Sequence, residues 1–450
     1  MPMFEAKKSS ARELALAVLS LVRKGARPSE ALDILDNKFS LDRKDFALAS
    51  RIVLDVVQNM YLLDFYIAAF STVKPEKMDA QVLDVLRAGA AQLLFLDRVP
   101  ARAAVNESVK LVKKLGKSSA SGLVNAVLRR IAEALPGMLP TIPGEGSAEY
   151  LSIKYSHPLW LTQEFAGKLG YAGARELLSL NNEIAPVTVQ VNTLKTTAEK
   201  LLELWAEGGV EAERHAFVPN CFELKSAGAP ALLPGFEEGL FYIQDAAARL
   251  AVTAAGVEAG MNVFDCCAAP GGKSFAAAIT MKNEGRILSC DISEKKLAKI
   301  SGGAERLGIG IMETRKMDAR VPNVELFGAF DVVIADVPCS GFGVIRRKPE
   351  IRCKTESEIS GLSKVQVDII NNISKCVRPE GVLLYSTCTM RESENIAVIR
   401  EFLQSNAEFK LEDIELPELI SDAQKGDITL YPHIHGTDGF FICKMRRGKT

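Results

Sequence analysis

The 450-residue chain carries 55 Lys+Arg against 56 Asp+Glu, a formal net charge of −1, with 48% hydrophobic and 25% charged residues. This composition excludes a disordered polymer and a uniformly basic nucleic-acid coat, and the length exceeds what one hydrophobic core organises, so two or three domains are expected. Nine cysteines without disulfide-like spacing, and a start without an apolar targeting stretch, point to a reducing, cytoplasmic compartment. No apolar run approaches the roughly 18–20 residues a bilayer crossing needs, so no membrane partner is expected.

In chain order, residues 1–140 read as helix after helix, with Leu14, Val18, Leu21 and Val22 on one face of the first and Leu123, Val124, Val127, Leu128 and Ile131 on one face of the last. This part leans basic: residues 1–135 hold 21 Lys+Arg against 15 Asp+Glu, the remainder 34 against 41. The stretch "LPGMLPTIPGEGS", residues 135–147, has linker composition, and the domain boundary is placed at 141–149. Residues 150–240 mix helical segments with short strands, the clearest being "APVTVQVNTLK" with Val187, Val189 and Val191 alternating. From 241 to 450 apolar strands alternate with helices: "MNVFDCC", "GRILSCD", "FDVVIAD", "GVLLYSTC" and "GFFICKM". That alternation predicts a mostly parallel sheet covered on both faces.

The segment "DCCAAPGGKS", residues 265–274, ends like a triphosphate-binding loop, but Cys267 stands where that loop needs its first glycine. The dinucleotide fingerprint fails as well. Gly271 and Gly272 nevertheless lie between a strand and a helix, where a ligand can approach the backbone. Asp291 ends the next strand 19 positions after Gly272, near the spacing at which a carboxylate accepts from a ribose. A nucleoside-containing ligand is therefore expected rather than a triphosphate. Cys266 and Cys267, neighbours on a segment read as extended, are expected to face opposite sides and not to share a metal ion, and no C-x-x-C pair occurs.

Residues 265–274 resemble the glycine-loop motif of S-adenosylmethionine-dependent RNA cytosine-C5 methyltransferases of the Nop/Sun family. Three further stretches follow in that family's order: "ADVPCSGFGVIRRKPEI" resembles its Pro-Cys motif, "YSTCTMRESEN" its Thr-Cys motif and "HGTDGFFICKM" its closing strand. Upstream, "FYIQDAAA" and "APVTVQVNTLK" are similar to segments that precede the catalytic domain, and "AAVNESVKLVKKLG" with "GLVNAVLRR" resembles a NusB-like domain. The whole chain thus resembles the Sun/Fmu-type methyltransferases of bacterial 16S ribosomal RNA. Gln190 stands where that family usually has arginine, and Ser274 where it usually has threonine. The resemblance implies a Rossmann-like α/β methyltransferase domain preceded by a small α/β RNA-binding subdomain and an all-α NusB-like RNA-binding domain. It also implies S-adenosyl-L-methionine as cofactor, ribosomal RNA as partner and a monomer.

Carbon 5 of cytosine is a poor nucleophile until a group adds at carbon 6. A thiolate can do this, and a carboxyl group at N3 relieves the charge that builds on the ring. Cys339 follows the strand "DVVIAD" and Cys388 follows "GVLLYST", at strand carboxyl ends where open α/β sheets bind ligands, and Asp336 beside Cys339 is the candidate N3 partner. Chemistry alone leaves either thiol open as the attacking group. The resemblance assigns attack to Cys388 and product release to Cys339. It also implies Cys267, Ala268, Ala269, Pro270, Gly271, Gly272 and Lys273 around the cofactor, Asp291 on its ribose, Asp318 near its adenine and Asp336 near its methyl group. Lys273 is expected to bridge cofactor and catalytic carboxylates.

The remaining cysteines read as small buried hydrophobes, and His433 and His435 as structural or surface groups. The run "RRKPEIR", residues 346–352, is expected to meet RNA phosphates, and the target base to be unstacked from a single-stranded or loop region. Competing readings are an inactive RNA-binding assembly factor, methylation of another RNA such as tRNA, and DNA cytosine methylation.

Overall fold

In the computed structural model, residues 10–135, 137–225, 230–417, 420 and 426–449 are described. The first nine residues and Pro136 of the expected linker lie outside them. Seven α-helices run through the N-terminal part: Ala11–Val22, Pro28–Phe39, Arg43–Gln58, Met60–Phe70, Ala80–Phe95, Ala101–Lys114 and Ser121–Glu133. Ser10, Asp42 and Asp79 accept hydrogen bonds from first-turn amides and so start three of them. Leu14, Val18, Val53, Leu86 and Leu128 are fully buried where their apolar stripes meet. At Gly89 a Cβ would come 2.5 Å from Leu128 Cδ1 and 2.8 Å from Ser108 Oγ, so glycine lets Ala80–Phe95 pack closely on two neighbours. Helices Ala148–Lys154 and Leu159–Leu180 complete this compact unit, together with the distant segment Lys348–Lys354. No single helix among the described residues is long and apolar enough to cross a membrane.

The second unit comprises residues 184–347 and 355–450 and holds two sheets. The smaller has the antiparallel order β2-β3-β1-β4, from β1 (Val187–Val191), β2 (Ala212–Arg214), β3 (Cys221–Leu224) and β4 (Phe241–Ile243). Val189 and Val191 pack with Trp205, whose ring meets Phe222 and Phe241 edge-on at 5.7 and 5.3 Å. Thr188 and Gln190 are buried as well, so β1 is covered on both faces and not only on the valine face.

The larger sheet contains β5 (Asn262–Asp265), β6 (Arg286–Asp291), β7 (Met312–Lys316), β8 (Phe330–Asp336), β9 (Val377–Thr387), β10 (Phe409–Leu411), β11 (Asp427–Leu430) and β12 (Phe440–Arg447). Its order is β10-β12-β9-β8-β5-β6-β7, with β11 paired to β12. The five strands from β9 to β7 are parallel, whereas β10, β11 and β12 make antiparallel ladders, which makes the sheet mixed. The five expected strands are β5, β6, β8, β9 and β12. The short or polar β7 and β10 gave no apolar signature. Two buried clusters cover the two faces, one around Leu250, Ala277 and Ile300, the other around Ile370, Ile399 and Phe402.

Candidate active site

Two parallel neighbours set the geometry. The β8–β9 register places Asp336 opposite Ser386, and the last rung is the Val337 amide donating to the Ser386 carbonyl at 3.2 Å. Past that rung the two chains turn at the same sheet edge, and the Sγ atoms of Cys339 and Cys388 come within 3.2 Å although 49 residues separate them. Both thiols are partly exposed. The Cys388 sulfur, then burial, then the charges of Glu394 and Asp336 hold the Cys339 thiol well above its ordinary range, so Cys339 keeps its proton at neutral pH. Behind them the Gly343 amide donates to the Cys388 carbonyl at 3.0 Å, and the Gly439 amide donates to the Gly343 carbonyl at 2.8 Å.

Asp336 is fixed from both sides. Ser386 Oγ donates to Oδ1 at 2.9 Å and Lys273 Nζ lies 2.7 Å from Oδ2. Lys273, only 8% exposed, also sits 4.9 Å above the Phe440 ring. A nearly buried ammonium facing a carboxylate and an aromatic face is worth more than a surface pair, because little water competes for either partner.

The loop after β5 is shaped by its backbone. The Ala268 amide donates to the Cys290 carbonyl of β6 at 2.8 Å, the Ala269–Pro270 peptide is cis, and the Gly271 amide donates to the Ala268 carbonyl at 2.6 Å. Gly271 has φ +110, and a Cβ there would lie 2.5 Å from the Phe275 ring, so glycine is required twice over. Gly272 then begins the helix Gly272–Thr280. Ser274, which lent the sequence its phosphate-loop look, is fully buried. Its hydroxyl donates to Asp265 Oδ2 at 2.7 Å and accepts from Ser289 at 2.8 Å. Burial pushes the Asp265 carboxyl up to about 7, and its Oδ1 has no hydrogen-bond partner. Asp291 ends β6 with Oδ1 accepting from the Ser293 amide at 2.8 Å and Oδ2 3.8 Å from Lys296 Nζ, while Ile292 beside it is 58% exposed. Asp318 is paired with Arg320, Oδ2 to Nη2 at 2.6 Å, which holds its carboxyl below the ordinary range.

Two expectations are corrected. Cys266 and Cys267 do not face opposite sides: β5 stops at Asp265, the chain turns, and the two sulfurs lie 3.8 Å apart. Two arginines of the run 346–352, expected to meet phosphates, are committed to protein partners, while Lys348 is exposed. Within the second unit, Arg347 pairs with Asp245 at 2.8 Å and Asp438 at 2.7 Å and donates to the Pro186 carbonyl at 2.7 Å. Arg352 belongs to the first unit and is 0% exposed, donating to the Gln58 carbonyl at 2.6 Å and to Asn182 Oδ1 at 2.8 Å. Gln190, where the resembled family usually has arginine, points inward and donates to Cys221 Sγ at 3.1 Å and the Gln244 carbonyl at 3.2 Å.

Sequence reasoning overlooked Ser386, Asp438 and Asp245. Each sits inside a stretch that had been singled out, but nothing local announces that Ser386 orients Asp336 or that both aspartates meet Arg347. Among the described residues, no cluster of three or more His, Cys, Asp or Glu side chains could hold a metal ion.

Comparison with known proteins agrees with this architecture. Residues 253–446 match the family described as 16S rRNA methyltransferase RsmB/F, residues 9–133 the NusB family, and residues 157–230 a ferredoxin-like domain of RsmF/B-like methyltransferases. A probable ribosomal RNA small subunit methyltransferase B of Bacillus subtilis is 34% identical over 98% of this chain and 99% of its own. Ribosomal RNA small subunit methyltransferase B of Escherichia coli is 30% identical over 96% and 97%. Among solved structures, PH0851 superposes with a TM-score of 0.79 at 26% identity over 98% of this chain and 100% of its own. A methyltransferase homologue from Pyrococcus horikoshii gives 0.57 at 26% identity over 66% and 97%.

Proposed function

The chain belongs to the RsmB/F family of 16S rRNA methyltransferases, and from that premise we propose that it methylates carbon 5 of a cytosine in 16S ribosomal RNA through a covalent cysteine adduct. The observation that carries this reading is the 3.2 Å approach of Cys339 and Cys388 beside the Asp336–Lys273 pair, at the carboxyl edge of a parallel sheet. The surface next to it suits a nucleoside-bearing cofactor such as S-adenosyl-L-methionine: a two-glycine turn, the Asp291 carboxylate for a ribose, and the exposed apolar face of Ile292. Residues Cys267 to Lys273 with Asp291 would hold it, and Asp318 would face the adenine once it turns from Arg320. When bound, the cofactor supplies an electrophilic methyl group.

The protein's own work is on the base. Cys388, as thiolate, forms a bond to carbon 6, and the ring electrons move toward carbon 5 and N3, where Asp336 holds or delivers a proton. Lys273 and Ser386 keep that carboxyl aimed. Cys339, held protonated while Cys388 attacks, is assigned the later step: once it has given up its own proton, its sulfur takes the proton from the methylated carbon 5, the electron pair reforms the 5,6 double bond, and Cys388 leaves as thiolate. Residues 1–140 and 150–240 are assigned to holding RNA, the former supported by its basic excess.

The test is methyl transfer from tritiated cofactor to small-subunit rRNA, tRNA and duplex DNA, followed by bisulfite mapping of the product. Cys388→Ala is expected to abolish transfer, and Cys339→Ala to leave a covalent protein–RNA adduct that survives denaturation. Adduct from Cys388→Ala instead would reverse the assignment, and label on tRNA alone would overturn the substrate.

A further inference from the structure

Behind the two thiols lies a second layer of buried polar groups. Glu394, 1% exposed, accepts the Ser340 amide at 2.8 Å and Gln366 Nε2 at 3.1 Å on the same oxygen. Gln366, fully buried, also donates to the Pro338 carbonyl at 2.9 Å. The residues on either side of Cys339 are therefore both gripped. The next residue along the chain does the same for the other thiol. Asn395, 2% exposed, donates to the Thr389 carbonyl at 2.9 Å and accepts from the Thr387 hydroxyl at 2.6 Å, the two residues that flank Cys388. Ser340 Oγ donates to Thr389 Oγ1 at 2.9 Å, tying the two grips together. The short turn Glu392–Glu394 that presents them is itself anchored by the Tyr385 hydroxyl on the Glu394 carbonyl at 2.6 Å, and Arg391 lies 3.7 Å from the free carboxylate oxygen.

We propose that Glu394 and Asn395, with Gln366, are positioning residues that set the separation of the two sulfurs by holding the chain on both sides of each cysteine. None of them touches the reacting atoms. The inference rests on the two-thiol reading above, since only a reaction using both sulfurs in sequence needs their separation fixed. A buried carboxylate next to a thiol is electrostatically unfavourable for ionising that thiol, and Glu394 is among the charges that keep Cys339 protonated. Its place there is explained by the hydrogen bond it accepts from the Ser340 amide of the Pro-Cys loop.

Sulfur proximity can be read without RNA or cofactor. A diazene oxidant takes two electrons and two protons from the paired thiols, the S–S bond forms and the diazene becomes the hydrazine. Peptide mass spectrometry then follows closure between Cys339 and Cys388. Glu394→Ala and Asn395→Ala are expected to close about 10-fold more slowly than wild type. Their kcat for methyl transfer is expected to fall about 100-fold, with KM for RNA and cofactor within about twofold, because a shift of about 1 Å in a reacting group costs that much. Glu394→Gln keeps an oxygen for the Ser340 amide and is expected to rescue both readouts to within about threefold. Gln366→Leu, which frees the Pro338 carbonyl and removes one donor from Glu394, is expected to slow closure about threefold and serves if Glu394→Ala does not fold. Wild-type closure rates in folded Asn395→Ala and Gln366→Leu proteins would overturn the proposal. Fast closure in a wild-type protein that methylates no RNA would overturn the functional reading and leave the positioning role standing.

Discussion

Among the described residues, Arg352 is a buried cation paired with no carboxylate. Its guanidinium donates to the carbonyls of Gln58 at 2.6 Å, Ser156 at 3.1 Å, Asn181 at 3.3 Å and Tyr155 at 3.4 Å, and to Asn182 Oδ1 at 2.8 Å. Gln58 ends the helix Arg43–Gln58, and Tyr155 and Asn181 cap the ends of Ala148–Lys154 and Leu159–Leu180. Three helix C-termini, each carrying partial negative charge, thus stand in for a counter-ion. Replacing Arg352 with alanine strands these acceptors, at about 1–3 kcal/mol each. Against this stands the relief of no longer burying a charge: burial pushes the guanidinium down to about 10, equivalent to roughly 3 kcal/mol. With each acceptor at the lower figure the net loss is about 2 kcal/mol, which for a unit of 150–250 residues lowers the unfolding midpoint by about 4–8 °C. Differential scanning calorimetry of the full chain measures it, with hydrogen exchange over Arg43–Gln58 and Leu159–Leu180 locating the loss in the first unit. Arg352→Lys, offering one compact ammonium instead of a planar fork, is expected to recover less than half. Because the depressed ionisation has its linkage window above about pH 10, the loss is expected to be constant between pH 5 and 8. A midpoint within about 2 °C of wild type for the alanine variant would refute the reasoning.

Three further expectations concern the catalytic unit. Asp265, fully buried and raised to about 7, costs stability that is fully present above its folded value and vanishes below its unfolded value near 4. Asp265→Asn, whose amide oxygen still accepts from Ser274, is therefore expected to raise the unfolding midpoint at pH 8 and to lose that advantage by about pH 4; an equal effect at both pH values would contradict the assigned cause. Gly343→Ala places a Cβ against the Gly439 carbonyl backbone, with the Cys388 carbonyl at 2.9 Å, and neither backbone can yield. Methyl transfer should fall at least about 100-fold while the helical unit keeps its exchange protection. Lys273→Met keeps the apolar stem over Phe440 but removes the partner of Asp336, and kcat is expected to drop about 100-fold, measured under saturating cofactor.

What the sequence by itself determined is what neighbouring residues decide. The strands β5, β6, β8, β9 and β12, the glycine turn at 271–272 and the two cysteines just past strand ends are local patterns, and a parallel sheet carries such strand ends to one edge. Tertiary structure decided the fate of polar side chains whose partners lie far along the chain. Arg352 meets Gln58 across 294 residues and Arg347 meets Asp245 across 102, so within a stretch that reads as a phosphate-binding surface two arginines are internal anchors. The same holds for Glu394 and Ser340, 54 residues apart. A guanidinium or carboxylate has one chemistry in every context, and only the fold determines whether water, a phosphate or a buried carbonyl satisfies it.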